Sequence, residues 1–400
     1  MEQSLSAEQA AARSSSWRPG LVFALLLSYF GIFGSVVGGL GVLWAEIVQA
    51  LRLSNATFGS AQLTSPLISV GLLLAGGYLS AWAGKKRLAL TSLLSIGGAL
   101  LILANSTNLI GLLAALAVKG VANALLETSA NGATLDWEQA TGRSAMNMMH
   151  AGFSGGAVLG AIGAGLLLGQ GWQYQQILLL LALLCALIAV ATLPVRYPPV
   201  ETRGETTERP GATLRLLFSS PALLALGALM LLGVVGESVA NLWSVIYLRE
   251  LGAQALIGGA AFALFNGAMF VGRLLNAPLM ARWGARISLL ISGGGLIGGT
   301  ILLLAPGGDV VRAVVALALL GLAVAGVIPT ALSVAARRSS GNNATVASGL
   351  MASAYLCLMI CPPLVGWLSE LFSLRAAWLI VGLSGLGIVA LARSLREARR

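Results

Sequence analysis

The chain has 400 residues, of which 57% are hydrophobic and only 10% are charged. A soluble domain carries about 25% charged residues, so this composition excludes an ordinary water-soluble fold. The formal net charge of +10 raises nucleic-acid binding as a reading, which the placement of the basic residues then removes.

The first 18 residues are polar, rich in Ser and Ala, and lack an apolar core of the signal-peptide kind, so no cleavable signal is expected. Apolar runs of about 20 residues then recur to the far end of the chain, the mark of a polytopic membrane protein. The runs predict twelve spans: 20–48, 59–82, 87–106, 109–134, 145–169, 174–194, 219–248, 255–281, 286–305, 311–335, 345–370 and 374–393. One connection is long and polar, Pro194–Arg215, with four Pro, four Arg and three Glu. It divides the chain six plus six. The expected organisation is an N-terminal tail (1–19), a six-helix bundle (20–194), a linker (195–218), a second six-helix bundle (219–393) and a short tail (394–400).

With the N-terminus inside, eighteen Lys and Arg fall in cytoplasmic segments. Four fall in outer loops: Arg52, Arg249, Arg312 and Arg375. That asymmetry is the positive-inside bias. The basicity therefore reports topology, with both termini cytoplasmic, and no nucleic-acid partner is expected. The destination is a bacterial-type cytoplasmic (inner) membrane.

Along the spans, glycines at helical spacing come first: Gly34, Gly38 and Gly41 on the first, and Gly152, Gly156 and Gly160 on the fifth. Small residues so spaced let helices approach closely. Pro66, Pro329, Pro362 and Pro363 are expected to kink the spans that hold them. The fourth span carries Lys119, Asn123, Glu127 and Asn131, each four residues apart and so on one helical face. Lys119 and Glu127 lie about 12 Å apart along the axis, too far for a direct pair. A polar stripe on an apolar helix should face a bundle interior or a water-filled cavity.

His150, the only histidine, opens the fifth span and reads either as a pH sensor or as a hydrogen-bonding residue. The seventh span supplies a second acid, Glu237, one turn from Asn241 and followed by Trp243 and Tyr247. A carboxylate from each half is what a transport site between two bundles uses. Asn266 and Tyr355, on the eighth and eleventh spans, are candidate cavity residues, and Trp243 could stack on a solute ring or simply pack. Cys185, Cys357 and Cys361 all lie in apolar spans and read as packing, not as a disulfide framework or a metal site.

The turn after the second span reads Gly77-Tyr-Leu-Ser-Ala-Trp-Ala-Gly84-Lys85-Lys86-Arg87, and the turn after the eighth reads Pro278-Leu-Met-Ala-Arg282-Trp-Gly284-Ala-Arg286. This recurrence, with the six-plus-six split, resembles the major facilitator superfamily. That resemblance implies an all-α fold of twelve transmembrane helices in two pseudo-symmetric six-helix bundles. It also implies gating roles for Gly84, Lys85 and Arg282, and for Arg273, which follows Gly272 near the inner end of the eighth span. The family's usual Asp-Arg before the glycine is replaced by Ala81 and Trp82, and the second turn has Ala281 for the acid.

Leu126-Glu127-Thr128-Ser129-Ala130-Asn131, followed by Arg143, Asn147 and Phe153-Ser154-Gly155, resembles the fucose permease branch, the fucose:proton symporters. There the fourth-helix Glu takes part in proton coupling and sugar binding, and it falls on Glu127. The first-helix Asp of that branch is replaced by Leu40 in an ungapped register.

The chain shows no Gly-rich phosphate loop, no metal-ligand spacing and too few histidines for a Ser–His–Asp set. No enzyme activity and no cofactor are expected. The expected function is secondary active transport of a small organic solute by a monomer in the bilayer, driven by protons. Glu127 and Glu237 are the proton-coupling candidates. Lys119, Asn123, Asn131, Asn241, Trp243, Asn266 and Tyr355 are the substrate-binding ones. A proton-antiporting exporter of lipophilic or amphipathic compounds stands beside sugar symport, and a transport-dead receptor or scaffold is the reading from another class.

Overall fold

The structure, a computed structural model, describes residues 17–143, 145–197, 221–307, 309–338 and 343–394. The expected tails and most of the expected linker lie outside the described residues. Among those residues every regular element is α-helical. In chain order they are α1 (Pro19–Ala50), α2 (Asn55–Ala61), α3 (Thr64–Leu74), α4 (Gly76–Ala83), α5 (Lys85–Ala104), α6 (Leu109–Thr141), α7 (Met146–Gly169) and α8 (Tyr174–Thr192). Then follow α9 (Pro221–Glu250), α10 (Ala255–Leu304), α11 (Val310–Val324), α12 (Val327–Arg338), α13 (Asn343–Leu371), α14 (Leu374–Ala377) and α15 (Leu379–Ser394).

Eleven segments among the described residues are helical, long and apolar enough to cross a membrane. The second predicted span, 59–82, is not one of them, because it is broken into α2, α3 and α4. Pro66 supplies the reason for the first break. In a continuous helix its ring would meet the carbonyl of Gln62, four residues back, and it has no N–H to donate. The helix stops at Gln62 and restarts at Thr64. Pro329 acts in the same register on Ala325, where α11 gives way to α12.

Several helix starts are capped by side chains the loops supply. Asn108 accepts from the Gly111 N–H at 3.1 Å, Asp309 from the Arg312 N–H at 2.7 Å and Ser373 from the Ala376 N–H at 3.0 Å. Each satisfies one of the orphan donors of a first turn.

The two sequence turns take the same shape. Gly84 has φ 78° and ψ 144°, and Gly284 has φ 80° and ψ 169°. Positive φ costs a residue with a Cβ about 1–2 kcal/mol, so glycine recurs at the same point of each half for a backbone reason. At Gly284 the eighth and ninth spans meet within α10.

Packing divides the chain into two compact units. One holds Met1–Val36, Leu67–Ala157 and Gln175–Thr207; the other holds Val37–Pro66, Val158–Tyr174 and Glu208–Arg400. The division cuts α1 and α7, whose later and earlier halves respectively leave the first-half helices or join them. In the first unit α1 and α7 touch backbone to backbone. A Cβ at Gly34 would overlap the Phe153 carbonyl, and one at Gly156 would overlap the Gly31 carbonyl. The glycine spacing is thus a packing device here.

Candidate functional site

On α6 every residue of the polar stripe is part-accessible. From Lys119 to Asn131, Gly120, Ala122, Ala124, Leu125, Leu126, Ser129 and Ala130 are buried, whereas Lys119, Asn123, Glu127 and Asn131 are half-buried, as are Val121 and Thr128. Ser92 and Ser69 hold the buried side of α6, donating to the carbonyls of Ala122 at 2.7 Å and Gly120 at 2.8 Å. Lys119 makes no ion pair or hydrogen bond with the described residues. The Oδ1 atoms of Asn123 and Asn131 are buried and have no hydrogen-bond partner.

The same coincidence appears on α9. Between Gly233 and Leu248 only Glu237, Asn241 and Leu242 are not buried. The neighbouring α10 meets this strip with polar groups. The Arg273 guanidinium stands 3.6 Å from the Glu237 carboxylate, and the Asn266 amide donates to Asn241 Oδ1 at 3.3 Å and to the Phe262 carbonyl at 3.0 Å. An unstrained charge-assisted hydrogen bond is about 2.7–2.9 Å long. The Glu237–Arg273 pair is longer, and both side chains are partly exposed (29% and 43%). Such a pair stabilises by about 1 kcal/mol at most, so the two side chains can separate at low cost.

Trp243 lies elsewhere. It is fully buried, edge-on to Phe58 at 5.6 Å between ring centroids, and its indole N–H has no partner. No face of the ring is open to a solute in this conformation. Tyr355 is half-buried on α13. His150 is exposed and stands edge-on to Phe30 at 5.5 Å.

At the turn between α4 and α5, Lys85 reaches both oxygens of Asp136 at 2.7 Å. This latch joins the start of α5 to the last turns of α6. Asp136 went unread in the sequence. Its signal is its position nine residues beyond Glu127, past the apolar part of the span. Arg282 lies over the Trp283 ring at 5.3 Å. The second half uses a neutral cluster in place of an ionic latch. Asn276 Oδ1 accepts from Ser288 at 2.5 Å, and the Asn276 amide donates to Thr330 Oγ1 at 3.2 Å. All three are buried.

Within the second unit the end of α9 and the end of α13 are tied to the end of α1 and the start of α2 by residues that sequence reasoning largely missed. Arg249, at the end of α9, pairs with Glu46 on α1 at 2.8 Å. Glu370 on α13 accepts from the Ala56 N–H at 2.8 Å and from the Ser54 side chain, and the Glu250 carboxylate is bonded by Asn55. Below this polar layer the backbones close up. A Cβ at Gly59 would overlap the Pro362 carbonyl, and one at Gly366 the Asn55 carbonyl. Trp44, Phe58 and Trp243 continue inward as an aromatic stack.

Among the described residues no three His, Cys, Asp or Glu side chains converge as a metal ion requires. The long apolar helices define a polytopic membrane protein, and α6 and α9 each carry a strip of polar, part-accessible residues. The twin glycine turns add an internal repeat.

The chain belongs to the Major Facilitator Superfamily, whose family model matches residues 21–358. It is 27% identical over 366 residues to an uncharacterised transporter, y4wD, of Sinorhizobium fredii, covering 88% of this chain and 94% of that protein. It is 24% identical to the membrane protein MosC of Rhizobium meliloti, covering 88% and 84%. Among solved structures, the nucleoside transporter NupG superposes with a TM-score of 0.80 at 15% identity, covering 94% of this chain and 99% of that one. The Escherichia coli fucose:proton symporter FucP superposes at 0.61 with 19% identity, covering 94% and 98%. At these identities the structural likeness shows the fold. The protein is a multi-pass membrane transporter of the superfamily type and not an enzyme.

Proposed function

We propose that the protein is a proton-coupled symporter of a small hydroxylated, sugar-like solute. It works by alternating access in a bacterial cytoplasmic membrane, with both termini inside, as a member of the fucose-permease-like branch. The observation that carries this reading is the coincidence of polarity and access at mid-span. On α6 and α9 the half-buried positions among buried neighbours include Lys119, Asn123, Glu127 and Asn131 on one helix and Glu237 and Asn241 on the other. Ionisable groups held at that depth mark ion and substrate paths.

In this reading Glu127 takes up the proton. Glu237 is a second proton site or a solute contact, alternating between Arg273 and the solute. Asn241 and Asn266 offer amide groups to hydroxyls. Solved structures of the same fold include transporters of fucose and of nucleosides, both hydroxylated solutes. Gly84, Lys85, Arg273 and Arg282 are gating residues in this reading. Trp243 enters the path only if the layer around Phe58 opens.

The test is transport in proteoliposomes. Solute added outside should drive protons inward with it, acidifying the lumen. Glu127→Gln should abolish accumulation down a proton gradient while counterflow exchange persists. If both persist, Glu127 has no coupling role.

One observation favours a second reading. Leu40, at the place of the branch's first-helix Asp, is buried and apolar. A proton-antiporting exporter of amphipathic compounds needs no such acid. It predicts the opposite pH change when substrate is added on the same side.

A further inference from the structure

The two intramembrane cations are treated differently by the fold. Arg273 has a carboxylate within 3.6 Å. Lys119 has no counter-charge among the described residues, although it stands ten residues into α6, about 15 Å from the start of that helix. Lysines near helix ends escape the bilayer by snorkelling, and Lys119 is too deep for that. An ammonium held there without a partner carries a desolvation cost of several kcal/mol, which an anion would relieve.

Asn123 lies one turn further along the same face, about 6 Å away along the axis. Its Oδ1 is buried and accepts from nothing. A buried acceptor left unsatisfied costs about 1–3 kcal/mol, and a hydroxyl is the group that would satisfy it. Asn131 carries the same orphan acceptor but stands about 18 Å from Lys119, beyond the reach of one sugar-sized molecule.

We infer that Lys119 and Asn123 form a subsite for a polyhydroxylated monocarboxylate, a sugar acid, with the carboxylate on the Lys119 ammonium and a neighbouring hydroxyl donating to Asn123 Oδ1. One ammonium balances one negative charge, which selects a monoanion over a phosphate ester. The inference rests on the reading of the protein as a carrier of hydroxylated solutes and adds the charge of the solute.

The experiment is a thermal-shift titration of the purified full-length protein. The probes are gluconate, glucuronate and galacturonate, their neutral parents glucose and galactose, uridine, and the lipophilic cation tetraphenylphosphonium. A ligand that binds the folded state raises the melting temperature. At least one acid is expected to stabilise the protein, its parent sugar at least tenfold more weakly. Lys119→Gln should erase the preference for the acid, and Lys119→Arg should keep it. The Arg variant also controls for a fold that fails without a cation at this position. Equal stabilisation by acid and parent sugar, or an acid preference that survives Lys119→Gln, overturns the anion subsite and leaves the proposed function standing. Stabilisation by tetraphenylphosphonium alone, or by no probe at high concentration, overturns both.

Discussion

The Arg249 guanidinium stands 2.8 Å from the Glu46 carboxylate, joining the end of α9 to the end of α1 within the second unit. In an alternating-access cycle this pair must break each time that end opens. Both side chains are partly exposed, so the pair contributes about 1 kcal/mol or less. Glu46→Gln or Arg249→Gln should therefore leave the fold intact and shift the population toward the state open at that end. A cysteine placed at Gln62 in a cysteine-free background should react faster with an impermeant maleimide in either variant. The charge-swapped double variant, Glu46→Arg with Arg249→Glu, should return to the original rate.

Gly59 and Gly366 should tolerate no side chain in the closed state. Each would overlap a backbone carbonyl, of Pro362 and of Asn55 respectively, and backbone does not yield as a flexible side chain does. Overpacking costs about 1–3 kcal/mol. Gly366→Val is expected to reach the membrane yet lose most transport, while raising maleimide labelling at Gln62. Normal transport with unchanged labelling would show that these ends do not close in the cycle.

The Lys85–Asp136 latch is tighter than the Glu237–Arg273 pair, with both carboxylate oxygens at 2.7 Å and little exposure. Asp136→Asn leaves the Lys85 ammonium half-buried without its counter-charge, at a cost of about 1–3 kcal/mol. The melting temperature should fall. The double variant Lys85→Met with Asp136→Leu should lose less than the two single losses combined, because no stranded charge remains. Additive losses would mean the two groups act separately.

Tyr29 ties the described end of the linker to the spans. Its hydroxyl lies 2.9 Å from both Thr192 Oγ1 and Tyr197 Oη. Burial and the neighbouring Tyr29 phenol push the Tyr197 phenol up from its usual value, so it stays protonated and able to donate at any physiological pH. Tyr29→Phe should cost about 1 kcal/mol and speed tryptic cleavage after Arg203, in the Arg203–Gly204 bond. An unchanged cleavage rate would show that the hydroxyl does not hold the linker.

Much of the fold was legible because the bilayer imposes simple rules. A span needs about 20 apolar residues, and Gly84 and Gly284 stood out as repeated turn glycines before their positive φ values were seen. The α6 stripe was equally legible, since spacing by four places Lys119, Asn123, Glu127 and Asn131 on one face whatever packs behind them. The kink expected at Pro66 appears as the break between α2 and α3, whereas the further break before α4, at Ala75, left no mark in the hydropathy of the span.

Periodicity along one helix therefore settled the membrane class, the number of apolar stretches and which residues share a face. Partnership between helices was settled only by tertiary structure. Glu237 meets Arg273; Lys85 meets Asp136; Trp243 is packed behind Phe58; and Glu46 pairs with a residue 203 positions away. The physical reason is range. A helix determines its own faces through local geometry, whereas a charge at mid-span finds its partner on whichever neighbouring helix lies within about 4 Å, and no spacing in the chain encodes that neighbour.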